Sequence, residues 1–152
     1  MREILFRGKT LNHTCWAYGD YVHRRGEPLQ ECIALGFEKN GAIKLCDVYP
    51  NTVGQFTGLN DSKARKIFEG DIILITDRMN GIKWKAVVVF GNPNGEYSWG
   101  WELKPIGKFD GNKDILLWIE MEDTQIFCEI IGNIYDNPEL LKGGEKHGGR
   151  RN

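Results

Sequence analysis

The sequence has no long hydrophobic run. Nothing in its 152 residues approaches the roughly 18 consecutive apolar residues of a membrane span, and Met1-Arg2-Glu3-Ile4-Leu5-Phe6-Arg7-Gly8 is too short an apolar stretch for a signal peptide. The pattern argues against a membrane span and makes the cytoplasm the expected location. Cysteine is sparse as well: Cys15, Cys32, Cys46 and Cys128 form no C-x-x-C pair, which argues against a disulfide framework and leaves four reduced, mostly buried thiols. A zinc set of His13, Cys15, His23 and Cys32 would have one tight spacing, His13-x-Cys15, where structural sites use paired ligands two to four residues apart, so neither metal nor cofactor is expected. Net charge is nearly absent, with 20 Lys+Arg against 21 Asp+Glu, and this excludes a polycation that coats nucleic acid by charge alone.

Glycine and aromatic residues, by contrast, are plentiful: 19 Gly, and 5 Trp, 5 Tyr and 7 Phe. Aromatic side chains favour half-buried pleated surfaces and glycine marks turns, so the expected fold is mainly β. Lys39-Asn40-Gly41 between Cys32–Phe37 and Ala42–Cys46 predicts a hairpin with a type I′ turn. Cys15–Tyr18 and Tyr21-Val22 predict a strand before it. Tyr49 to Asp61 is expected to be loop, and Ser62–Lys66 a single helical turn capped by Asp61. From Glu69 onward about five short strands are predicted: Ile72–Thr76, Trp84–Phe90, Tyr97–Leu103, and a pair Ile115–Ile119 and Ile126–Ile131. Asn137-Pro138-Glu139 then starts a helical turn, Asn as cap and Pro at the first helical position. The organisation expected is an N-terminal β-rich lobe over 1–60 packed on a small barrel over 61–141, with a disordered basic tail over 142–152.

Three stretches resemble the YopX family of bacteriophage and prophage proteins. They are Arg2–Gly8; Thr52-Val53-Gly54-Gln55-Phe56-Thr57-Gly58-Leu59 running on to Ile67-Phe68-Glu69-Gly70-Asp71-Ile72-Ile73; and Glu129–Leu141. Together they span residues 2–141. The resemblance implies a small cytoplasmic protein carried by phages of bacteria, mainly β, whose C-terminal part is an SH3-like barrel, in a family with no assigned biochemical activity. One departure falls at Ser62-Lys63-Ala64-Arg65-Lys66, where family members often carry an Asn-Gly-type turn. Gly58, Gly70 and Gly132 read as turn or bulge positions, Asp71 as a residue that bonds its own turn, and Asn137-Pro138 as the helix start.

Catalytic chemistry is poorly provided for. His13 and His23 flank a predicted strand and His147 lies in the tail, so no base is placed beside a nucleophile. Gly54–Gly58 lacks the Gly-Lys-Ser/Thr ending of a phosphate loop, and no D-x-D or H-x-E pair is present. The chain is therefore read as a non-enzymatic binder. Residues 114–141 hold seven acids and no Lys or Arg, with Glu120, Glu122, Asp123 and Glu129 as the expected face for a basic protein partner. The alternative is a single-stranded nucleic-acid binder using Arg78, Lys83, Lys85, Trp99 and Trp101. Against it, strand alternation groups Trp84, Ala86, Val88 and Phe90 on one face, and Tyr97, Trp99, Trp101 and Leu103 on another, both of which read equally as core. Homo-oligomerisation is left open.

Overall fold

The computed structural model describes residues 1–12, 15–26, 31–96, 99–120 and 125–142. The fold is mainly β, with 53% strand and 11% helix arranged in two antiparallel sheets. The chain divides into two compact units, Met1–Gly58 and Leu59–Asn152.

In the first unit β1 (Phe6–Lys9), β2 (Trp16–His23), β3 (Glu31–Phe37) and β4 (Ile43–Asp47) form an antiparallel meander. The segment expected to be loop, Tyr49 to Asp61, instead contains a 3-10 turn, Pro50–Thr52, and the strand β5 (Gly54–Asn60). β5 returns to the free side of β1, pairing Gln55 with Phe6 and Gly54 with Arg7. Its residues carry no strand periodicity. A pairing partner nearly fifty residues away makes it a strand, and a local reading has no access to that partner. Ala17, Ile33 and Val48 form the buried core here, with Phe6, Cys46 and Val53 packed against them.

In the second unit β7 (Asp71–Asp77) is central and its apolar run is buried on both faces, as expected for Ile72, Ile73 and Ile75. It is flanked by β8 (Ile82–Gly91) and β10 (Ile126–Asn133), and β9 (Gly100–Ile106) completes the order β10-β7-β8-β9. The strand expected at Ile115–Ile119 is a helix, α1 (Ile115–Glu120). Asp114 decides this. Its Oδ1 accepts the Leu116 N–H at 2.9 Å, and Ile115, Trp118 and Ile119, spaced i, i+3 and i+4, turn together onto the core. There they meet Ile67, Ile73, Ile75, Trp84, Ala86, Val88, Leu103 and Cys128. Trp84 stacks on Phe109 at 3.7 Å and meets the edge of Trp118 at 5.8 Å. Each fully buried aliphatic side chain in this cluster contributes roughly 1.5–3 kcal/mol.

Two hairpins share one geometry. In the first, Gly41 N–H donates to Glu38 O at 3.0 Å and Glu38 N–H to Ala42 O at 2.7 Å. In the second, which joins β5 to β6 (Lys66–Phe68), Ala64 N–H donates to Asp61 O at 2.9 Å and Asp61 N–H to Arg65 O at 2.8 Å. Both are three-residue loops, a type I turn followed by one left-handed residue. The first is therefore not the type I′ turn expected from Asn-Gly: only Gly41 has positive φ (86°), while Asn40 Oδ1 accepts the Ala42 N–H. Nor does Ser62–Lys66 make a helical turn, because Ala64 sits at φ 62°, the one non-glycine at positive φ among the described residues. That conformation costs an L-residue roughly 1–2 kcal/mol. Ala64→Gly is expected to raise the unfolding free energy by about 0.5–1 kcal/mol, as relief of strain is partly offset by the freer unfolded chain. Gly41→Ala should lower it by about 1 kcal/mol at the equivalent position. Urea melts of the two variants check this, and a destabilised Ala64→Gly would contradict the shared geometry.

Candidate functional site

The β5–β6 turn is built around one carboxylate. The Asp61 side chain is completely buried; Oδ1 accepts the Lys63 and Arg65 backbone N–H groups, each at 2.9 Å. Oδ2 accepts Arg65 Nε at 3.0 Å, Arg65 Nη2 at 2.8 Å and the Ile130 N–H at 3.0 Å. Ser62 adds a reciprocal pair: its N–H donates to Cys128 O and its Oγ accepts the Cys128 N–H, both at 2.8 Å. Arg65 Nη2 donates to Ile130 O, and Lys63 Nζ pairs with Glu129 at 2.6 Å. β10 is an edge strand, and this turn occupies the polar groups that its outer side would otherwise present to another chain. Burial pushes the Asp61 carboxyl up, but the Ile130, Arg65 and Lys63 donors outweigh it, so the group titrates below the ordinary 3.8.

Beside the turn lies a cleft of about 70 Å³ lined by Asn60, Asp61, Ser62, Trp118, Ile119, Ile126 and Cys128. Its chemistry is inert. Burial, reinforced by the Asp61 charge, raises the Cys128 thiol to about 12, and Asp61 is a saturated anion, so neither group serves as nucleophile or base near neutral pH. The size is equally restrictive, since small-molecule and cofactor sites span roughly 300–1,000 Å³. One wall continues onto open surface. Leu116 and Leu117 of α1 are 50% and 43% exposed, and Leu116 shares a helix face with the cleft-lining Ile119. The capping Asp114 was the available sequence signal for α1; the strand reading of its apolar run obscured it.

The residues expected to bind nucleic acid are not assembled. Lys83 and Lys85 alternate with the buried Trp84 and Ala86 and so face away from the core, with Lys85 Nζ reaching Leu140 O at 3.4 Å. Arg78 lies in the turn after β7, its guanidinium 4.6 Å above the Phe127 ring. Trp101 is on the core side, opposite Phe90 in register and edge-on to it at 5.0 Å. From Lys85 to Phe90 is five residues of strand, roughly 17 Å. Two core expectations are corrected at that end. Phe90 is 56% exposed because the sheet outruns the cluster that covers Trp84 and Val88, and Trp99 is 75% exposed because β9 begins one residue after it, at Gly100. Tyr97 lies outside the described residues.

Of the four acids expected to form one face, two are among the described residues. Glu120 is exposed at the end of α1, Glu129 is paired with Lys63, and Glu122 and Asp123 lie outside the described residues. Asp136 accepts from Asn133 Nδ2. Signature positions have mechanical roles. Gly58 and Gly70 take positive φ, 88° and 90°, and the buried Asp71 accepts the Phe68 N–H across its own turn at 2.8 Å. Gly132 sits at a register shift in β10, where a Cβ would lie 2.5 Å from Asn137 Oδ1. That oxygen accepts the Asn133 N–H at 3.2 Å, so the Asn137 side chain ties back to β10, while Pro138 opens a 3-10 turn, Pro138–Lys142. The tail beyond it is outside the described residues.

In the first unit His23 has a partner that the sequence reading did not supply. Glu31 faces it at 2.9 Å and also accepts the Tyr21 hydroxyl, all on open sheet surface. Cys32 is buried against Asp47 and, one residue out of register with His23, faces the other side of the sheet. His13 lies outside the described residues, and among those described no three His, Cys, Asp or Glu side chains could hold a metal ion. Among them, too, no helix is long and apolar enough to cross a membrane.

A family model described as YopX protein matches residues 5–142. The chain belongs to the YopX family. In this YopX chain the second signature stretch is the β5 strand, the Asp61 turn's exit and the start of β7, and the third is β10 with its tie to Asn137. The chain is also similar to the crystal structure of protein EF1440 from Enterococcus faecalis, at 17% identity and a TM-score of 0.45 over 93% of this chain and 99% of that one. No curated protein matches the sequence.

The Asp61 linkage has a definite sign. A carboxyl held below its ordinary value contributes stability that is fully present above about pH 4 and is lost as pH falls through the lowered folded value. Asp61→Asn should cost roughly 3 kcal/mol at pH 7, by removing the partner of Arg65 and a buried acceptor, and this deficit should shrink below pH 4. Urea melts at pH 7 and pH 3 measure both; an equal deficit at the two values would contradict the linkage. Gly132→Ala should cost roughly 1–3 kcal/mol in the same assay, because Asn137 has to move.

Proposed function

We propose that this YopX protein is a non-enzymatic protein-binding module, encoded by phage or prophage and acting on a host or phage protein in the bacterial cytoplasm. The carrying observation is the small cleft beside α1. Its volume is too small for a metabolite, neither Asp61 nor Cys128 titrates near neutrality, and the adjoining helix exposes Leu116 and Leu117, an apolar pair that a partner would cover. A photo-crosslinking residue at Leu117, tested in the bacterial host, should trap one partner band that is missing when the probe is placed at Lys44 in the other unit. Equal labelling from both positions, or none from Leu117, rejects this surface.

A second reading rests on the exposed Trp99 and Phe90 as a stacking platform for single-stranded nucleic acid. The separation of these rings from Lys83 and Lys85 counts against it. It requires binding of a labelled oligonucleotide that falls steeply with salt and is lost in Trp99→Ala. A flat salt response excludes it.

A further inference from the structure

The protein-binding reading leaves the chemistry of the partner open, and the charges around α1 narrow it. Cations near α1 and the Asp61 turn have anions of their own: Arg65 is held by Asp61, Lys63 by Glu129, and Lys113, next to Asp114, by Glu96 at 2.9 Å. Among the described residues, the exposed acids Asp114 and Glu120 stand at the two ends of α1, within a stretch of 28 residues, 114–141, that contains no Lys or Arg. Glu120 is also placed against the helix dipole. It is the last residue of α1, where a cation is favoured and no basic residue is present. Between these acids α1 exposes Leu116 and Leu117, and Leu116 shares a helix face with Ile119, which lines the cleft.

We propose that α1 and its cleft receive a segment of a protein partner in which one aliphatic anchor is flanked by Lys or Arg. The anchor packs on the exposed Leu116 and Leu117 beside the cleft, and the cations meet Asp114 and Glu120. Opposed charges at such a rim raise the encounter rate and select against acidic competitors, while the anchor holds the complex.

The probes are two short labelled amphipathic peptides, one of Leu and Lys and its counterpart of Leu and Glu, titrated into the full chain by fluorescence anisotropy. The Lys peptide is expected to bind about tenfold tighter than the Glu peptide, with affinity falling as salt rises. Leu116→Ser/Leu117→Ser, both exposed positions, should weaken it by about tenfold while circular dichroism stays unchanged, and Glu120→Lys should erase the charge preference. Preference for the Glu peptide that is still lost in the Leu variant overturns the proposed partner chemistry and leaves the protein-binding reading standing. Peptide binding unaffected by the Leu variant overturns both. Concentration-dependent self-association in sedimentation, abolished by the same variant, assigns the surface to a second copy and overturns the proposal.

Discussion

A single buried carboxylate organises the second unit. Asp61 is removed from water and has no freedom to swell a solvation shell, so it must be saturated by protein donors, and its five come from its own turn and from β10, sixty-nine residues further along the chain. A local turn and a distant strand are thereby specified together. A buried anion missing any of these donors is costly, whereas the complete set holds β10 in register on β7 and closes the outer edge of that strand. The same arrangement shapes the cleft, because Asp61 and Ser62 form one side of it and Cys128 another. Structural demand and binding surface thus meet in one turn, which accounts for a site that holds polar groups and yet no reactive one.

The unusual residue in that turn is Ala64. The neighbouring unit solves the same hairpin geometry with glycine at the left-handed position, and here alanine is held there by the bonds around Asp61. Strain of this size persists only when the surroundings over-determine the conformation, and the Asp61 donors do so. Gly132 illustrates the complementary constraint: it is required by the close approach of Asn137 and not by a special φ. Gly132 lies in a stretch that resembles the family and Ala64 in the segment that departs from it, and both are explained by packing and hydrogen bonding without reference to a ligand.

The partition between legible and illegible features follows interaction range. β7 was legible because four consecutive apolar residues announce a strand buried on both faces, and the β3–β4 hairpin because Asn-Gly marks its loop, though its turn type depended on one extra residue in the connection. α1 was misread. Five apolar residues satisfy either period, and the deciding interactions, the Asp114 cap and the contacts of Trp118 and Ile119 with the core, become visible only in the folded chain. β5 was misread as loop for a related reason: its strand character is lent by β1.

The sequence by itself determined the β class, the buried isoleucine strand and the family, because these rest on composition, local periodicity and short motifs. Tertiary structure alone decided which candidate residues share a surface. It separated Lys83 and Lys85 from Trp99 and Trp101 along β8, paired Glu129 with Lys63, and drew Asn60, Ser62, Ile119 and Cys128 around one cleft. Strand alternation assigns a side chain to one of two faces, but which face is covered, and by what, is settled by residues tens of positions away.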